Sequence, residues 1–216
     1  MLSTETKLRI AEYAILFASI ILHEISHGWT ALSLGDDTAK RAGRLSLNPL
    51  VHIDPFGSVI LPALLIISGT GFLFGWAKPV PVNVARLRHP RNDAVLTSLA
   101  GPATNLVLVV LADAALHVFH PETFWPVALL LYAGLLNLLL ACFNLLPIPP
   151  LDGSALVERL LPRKWWGPYL AIRPYTLILV FGLVIIGERS GVYDHALNGL
   201  ATNWANAAGY PGFFGP

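Results

Sequence analysis

Apolar positions along this chain run together in long, nearly unbroken stretches, with little of the alternation of a half-buried strand or the one-sided stripe of a surface helix. Five such stretches stand out, with boundaries good to a few residues: Ile10 to Leu34, Phe56 to Phe74, Ala94 to Phe119, Phe124 to Leu146 and Ala171 to Ile186. At ~1.5 Å per helical residue the third and fourth can span a hydrocarbon core of ~30 Å, whereas the second and fifth are marginal. Three polar loops lie between them, at Gly35 to Pro55, Gly75 to Asp93 and Pro147 to Pro168. In the first, GRLSLN alternates apolar and polar residues. In the second, AKPVPVNV reads as an extended piece whose prolines suit a sheet edge. The expectation is an all-α membrane protein with about five hydrophobic segments and short extended or β segments in the loops.

Composition supports the membrane reading. Of 216 residues, 55% are hydrophobic and only 12% charged, against roughly 25% charged in soluble domains. The net charge of +1 gives no reason to expect a nucleic-acid partner. Cys142 is the only cysteine, so no internal disulfide can form, and its apolar surroundings suggest a buried, inert thiol. Lys7 and Arg9 ahead of the first apolar run resemble a signal peptide, but the run continues into His23 and His27 without a small-residue cleavage site and is read as retained. No repeat or soluble accessory domain is visible. A single polytopic domain over 1–216 is expected, with its core at about 10–153 and the fifth segment and tail in 165–216.

Candidate chemistry begins inside the first apolar run, at IILHEISHGW, Ile20 to Trp29. On a helix, residues four apart lie on one face, so His23 and His27 can grip one metal ion while Glu24 acts as general base on a water that the metal activates. Imidazole nitrogens suit zinc, and a catalytic zinc takes three protein ligands plus water. Ionisable side chains deep in a membrane segment each cost at least ~2.5 kcal/mol, and three fall here within five positions. Two histidines leave such a site one ligand short. The candidate is Asp152 in NLLPIPPLDG, where Pro147, Pro149 and Pro150 end the helix and Gly153 permits a sharp turn. Asp152 either ligates or N-caps the following GSALVERLL, or does both.

HEISH, AGPATN (Ala100 to Asn105) and NLLPIPPLDG together resemble the three signatures of the site-2 protease family of intramembrane zinc metalloproteases. GWAKPVPVN (Gly75 to Asn83) and NPLVHIDPFGS (Asn48 to Ser58) resemble further signatures of its compact prokaryotic branch, which lacks PDZ and sensor domains. The resemblance implies one Zn2+ per chain bound by His23, His27 and Asp152, Glu24 as catalytic base, and peptide-bond hydrolysis in or just below the bilayer surface. Its implied partners are a transmembrane protein substrate and the lipid bilayer. Asn105 and Asn144 match asparagines that the family places beside the metal.

An amide donor aimed at a developing oxyanion is what a tetrahedral intermediate needs, and Asn105 or Asn144 could supply one. Gly101-Pro102 reads as a helix start that allows close packing, which also leaves Asn105 a role as a helix-packing hydrogen-bonder. His52 either touches substrate or pins its loop. A membrane helix must be unwound before hydrolysis, and Lys78, Pro79, Val80 and Pro81 are candidates for holding it extended by strand addition. Asp113 and His117 lie four apart without a third partner. Asn137 reads as interhelical glue, and Trp165, Trp166 and Tyr169 as an interfacial belt. The tail from Gly191 carries no function legible in sequence.

Two other functions fit less well. A non-proteolytic helix-binding relative would not need Glu24, and a metal transporter would line polar residues across the bilayer instead of gathering them at one depth. Topology rests on the basic residues. Lys40, Arg41 and Arg44 after the first segment, Arg86, Arg88 and Arg91 before the third, and Arg159, Arg163 and Lys164 after the fourth all mark the cytoplasmic face. The second segment must therefore re-enter, or cross and return through GWAKPVPV, if the ligands are to meet on the cytoplasmic side of a multi-pass cell-membrane protein.

Overall fold

The computed structural model describes residues 3–68, 74–176, 178, 179, 182 and 191–215, and among them the chain is helical with irregular connections and no strand. It divides into two compact units, 1–107 and 108–216, with the boundary inside one long helix.

In the first unit, α1 spans Thr4–Ser33, and Ser3 caps it by accepting the Thr6 N–H at 3.1 Å. It ends where Gly35 adopts φ +111°, a left-handed turn that lets the Asp36 N–H return to the Ala31 carbonyl at 2.9 Å. A single turn, α2 (Thr38–Arg41), and a 3-10 turn (Pro49–His52) come next. The second apolar segment then opens with a π-helical turn (Pro55–Ile60) that continues as α3 (Leu61–Ser68). Among the described residues its apolar helical part, Pro55–Ile67, is ~20 Å long, less than a bilayer core of ~30 Å. The chain also returns to its point of departure. The Trp76 N–H donates to the Gly57 carbonyl at 3.2 Å, Ser58 Oγ donates to the Trp76 carbonyl at 2.8 Å, and the Trp76 indole fills the space a Gly57 side chain would need. Residues 69–73 of this segment lie outside the described residues.

The expected β segments do not form. The backbone N–H groups of Trp76, Lys78 and Val80 find separate acceptors on Gly57, His52 and Glu24, and Pro79 and Pro81 have no N–H to give. No neighbouring strand among the described residues is left to build a ladder.

Helix α4 spans Pro90–Phe119, so AGPATN lies within it and Pro102 is an interior proline instead of part of a helix start. In the second unit, α4 is followed by α5 (Phe124–Asn144), α6 (Ser154–Leu160), α7 (Trp166–Leu170) and α8 (Val192–Ala207). Helices α4 and α5 are long and apolar enough to cross a membrane. The fifth apolar segment falls for most of its length outside the described residues. Leu116, Leu131 and Leu135 pack with Ala201, Trp204 and Ala205 in one buried cluster. Trp204 lies over Gly134, where any side chain would collide with its ring, and its indole N–H donates to the Leu131 carbonyl at 2.9 Å. Tyr210, Phe213 and Phe214 extend this cover over Pro121, Phe124 and Tyr132. The tail is thus part of the second unit's core.

One smaller expectation changes. Cys142 is exposed, because the outward face of a membrane helix is itself apolar and an apolar run does not imply an interior position. Asn137, read as interhelical glue, also donates to Ala133 of its own helix at 2.8 Å.

Candidate metal centre

His23 and His27, one turn apart on α1, have ring centroids 4.6 Å apart and ring planes at 88°. His23 Nδ1 lies 2.6 Å from Asn105 Oδ1, and His27 Nδ1 lies 2.7 Å from the Thr97 carbonyl. Both partners are oxygens that only accept, so each imidazole carries its proton on Nδ1 and its lone pair on Nε2. A metal-binding histidine needs this tautomer, fixed by this kind of outer hydrogen bond. His23 is 5% exposed, so its ring is held by contacts on all sides.

The α4 sequence makes the arrangement sterically feasible. A Cβ on Gly101 would stand 2.6 Å from His27 Cε1 and closer still to His23, so only glycine lets both rings approach the helix. Pro102 removes the N–H that would bond the Ser98 carbonyl. One residue earlier, the Thr97 carbonyl takes the His27 Nδ1 proton. The close packing expected at Gly101-Pro102 is present, against the two histidine rings, but the pair lies inside α4 and does not start it.

Glu24 follows His23 on α1, about 100° round the helix. Its Oε2 accepts the Val80 N–H at 2.8 Å. The segment carrying Val80 is fixed from both sides. The Lys78 N–H donates to the His52 carbonyl at 2.8 Å, buried Arg44 donates to the Lys78 carbonyl at 2.5 Å, and the Asn83 N–H donates to Asp36 Oδ2 at 2.6 Å. His52 is fully buried and its Nε2 donates to the Ser46 carbonyl at 2.8 Å, so it pins the loop. Arg44, Asp36, Thr97 and Gly101 were not singled out from sequence as site-shaping residues.

In the second unit the proline loop closes on itself. The Gly153 N–H donates to the Asn144 carbonyl at 2.7 Å, and a Gly153 Cβ would collide with the Leu145 backbone. The loop is tied down by the Tyr169 hydroxyl on the Pro147 carbonyl at 2.9 Å and by the Thr176 hydroxyl on the Pro149 carbonyl. The N-cap of α6 is Gly153, and the Ser154 and Ala155 N–H groups bond the Leu151 and Asp152 carbonyls. The Asp152 carboxylate is therefore not needed as a cap. Asn144 Nδ2 donates to Leu140 of its own helix at 2.9 Å. Asp113 and His117 lie 3.5 Å apart, half-exposed, and no third metal-binding side chain joins them among the described residues.

Residues 122–185 match the model of Peptidase family M50. The chain is 42% identical over 156 residues to YwhC of Bacillus subtilis, covering 68% of this chain and 67% of that protein. It is 36% identical over 162 residues to Rip2 of Mycolicibacterium smegmatis (69% and 60%) and 39% identical over 178 residues to Rip2 of Mycobacterium tuberculosis strain H37Rv (80% and 66%). All three relatives are named as zinc metalloproteases, and the matched stretch spans about two thirds or less of their lengths. No solved structure matches the chain.

Proposed function

The chain belongs to peptidase family M50, the membrane-embedded zinc metalloendopeptidases of site-2 type, and from that premise we propose that it cleaves transmembrane protein substrates within or just below the bilayer surface. The observation that carries this reading is the pair of imidazoles on α1, each held at Nδ1 by an oxygen of α4 with Gly101 leaving them room. His23 and His27 would hold one zinc ion, and Asp152, whose carboxylate α6 does not need as a cap, would be the third ligand. Bound zinc supplies Lewis acidity and a water of lowered pKa.

The chain's own residues do the rest. Glu24 accepts the proton of the attacking water and returns it to the leaving amine. Asn105 keeps the His23 ring in the ligating tautomer through its amide oxygen, a positioning role that stands beside the oxyanion-donor role read from sequence, which would fall to its NH2 group. The segment around Lys78, Pro79, Val80 and Pro81 holds the unwound substrate extended alongside it. The return of the second apolar segment to Gly57 supports a multi-pass topology with the site toward the cytoplasm.

The test is cleavage of single-span model substrates by purified protein. Wild type should cleave in the presence of zinc and stop when a chelator is added. Glu24→Gln should keep near-stoichiometric zinc by elemental analysis and lose all cleavage. Full activity in that variant would refute the mechanism.

A further inference from the structure

Glu24 does not reach the site as an unsupported side chain. Its Oε2 accepts a hydrogen bond from the Val80 backbone at 2.8 Å. Val80 is 7% exposed, and it lies between two prolines, so within 79–81 it alone has an N–H. The prolines also fix φ on either side of it, which narrows the directions its N–H can take. Further out, Lys78 is held by His52 and Arg44, and Asn83 by Asp36. The donor therefore belongs to a stretch of backbone anchored before and after it.

Resting on the protease reading above, we infer that the Val80 backbone amide is the group that positions Glu24 for proton transfer. A glutamate has three rotatable side-chain bonds, and holding it in one arrangement costs rotamer entropy. A fixed donor offsets that cost before substrate arrives, as a supporting group must if the base is to stay within about 0.5 Å of its working position. The Pro-Val-Pro pattern then has a second meaning beyond protecting an edge: it presents one donor, at one point, to the base. The competing account is that Glu24 merely satisfies a buried N–H that needs some partner. Deleting the N–H separates the two roles. A satisfaction role disappears with the donor and leaves turnover unchanged, whereas a positioning role leaves Glu24 disordered.

Replacing Val80 by its α-hydroxy analogue through nonsense suppression exchanges the N–H for an ester oxygen and keeps the side chain. The expected result is a kcat at least ~10-fold lower with KM within ~2-fold and zinc content unchanged, while valine itself, incorporated at the same codon by the same suppression, restores the wild-type kcat. Independently of turnover, the Glu24 carboxylate stretch, isolated as an isotope-edited infrared difference against Glu24→Gln, should shift in the ester protein. An ester protein with wild-type kcat and an unshifted band overturns the inference. A wild-type protein that cleaves nothing refutes the protease reading instead, and the infrared band still reports on the Val80 bond.

Discussion

Asn105 Oδ1 stands 2.6 Å from His23 Nδ1 across 82 residues of sequence. The bond fixes the imidazole tautomer and ring orientation together, because the amide oxygen accepts only from a protonated Nδ1. Both groups are buried, so neither can be replaced by water without cost.

Asn105→Ala should accordingly lower zinc affinity by about 10–100-fold, the usual effect of losing an outer partner of a metal histidine. Asn105→Asp keeps an acceptor at the same place and should restore most of the affinity. Competition with a fluorescent zinc chelator measures both. Equal affinities in wild type and the alanine variant would remove Asn105 from the site.

Asp152→Asn tests ligation without disturbing the helix start. Since the α6 N-cap is Gly153 and the first helical donors already have backbone acceptors, this change should leave the melting temperature of the zinc-free protein within a few degrees of wild type. Zinc content after dialysis should drop severalfold. Unaltered zinc by elemental analysis would exclude Asp152 as a ligand.

Topology can be read by labelling cysteines introduced at Arg41 and Arg88. Arg41 is 63% exposed in its side chain, whereas Arg44 is buried and would label poorly. The Arg88 N–H donates to the Leu34 carbonyl at the end of α1 at 3.0 Å. Both positions should react with a membrane-impermeant reagent only from the cytoplasmic side. Reaction from opposite sides would break the proposed return of the second segment.

Acid sensitivity should trace in part to Asp36. Burial pushes its carboxyl up, but hydrogen bonds from the Thr38 hydroxyl and the Asn83 and Thr38 N–H groups, with the charge of Arg86, outweigh burial and hold it below the usual 3.8. A depressed folded-state pKa contributes stability that is present above the unfolded value and lost as pH falls through the folded one. Zinc-free wild type should thus lose stability below about pH 4. Asp36→Ala should be less stable at pH 7, by about 1–3 kcal/mol for the orphaned donors, and should show a weaker acid dependence. Parallel pH curves for the two proteins would contradict this account.

Much of this protein was legible in its residues alone. Helical periodicity is local, so HEISH places two imidazoles on one face wherever the helix lies, and long apolar runs form helices in any membrane context; α4 and α5 obey both rules. The prolines of NLLPIPPLDG likewise end α5 by their own stereochemistry. What stayed open depended on neighbours distant in sequence. An asparagine amide can donate or accept, and only the approach of His23 decided that Asn105 accepts. A Pro-Val-Pro segment can edge a sheet or stand alone, and Glu24, His52 and Gly57 decided by each taking one of its neighbourhood's N–H groups. A cysteine in an apolar run can face the interior or the outer face of the helix, and packing around α5 turned Cys142 outward. Covalent geometry and local hydrogen bonds set the elements, while the partner of each buried polar group was settled only when the chain brought remote acceptors within reach.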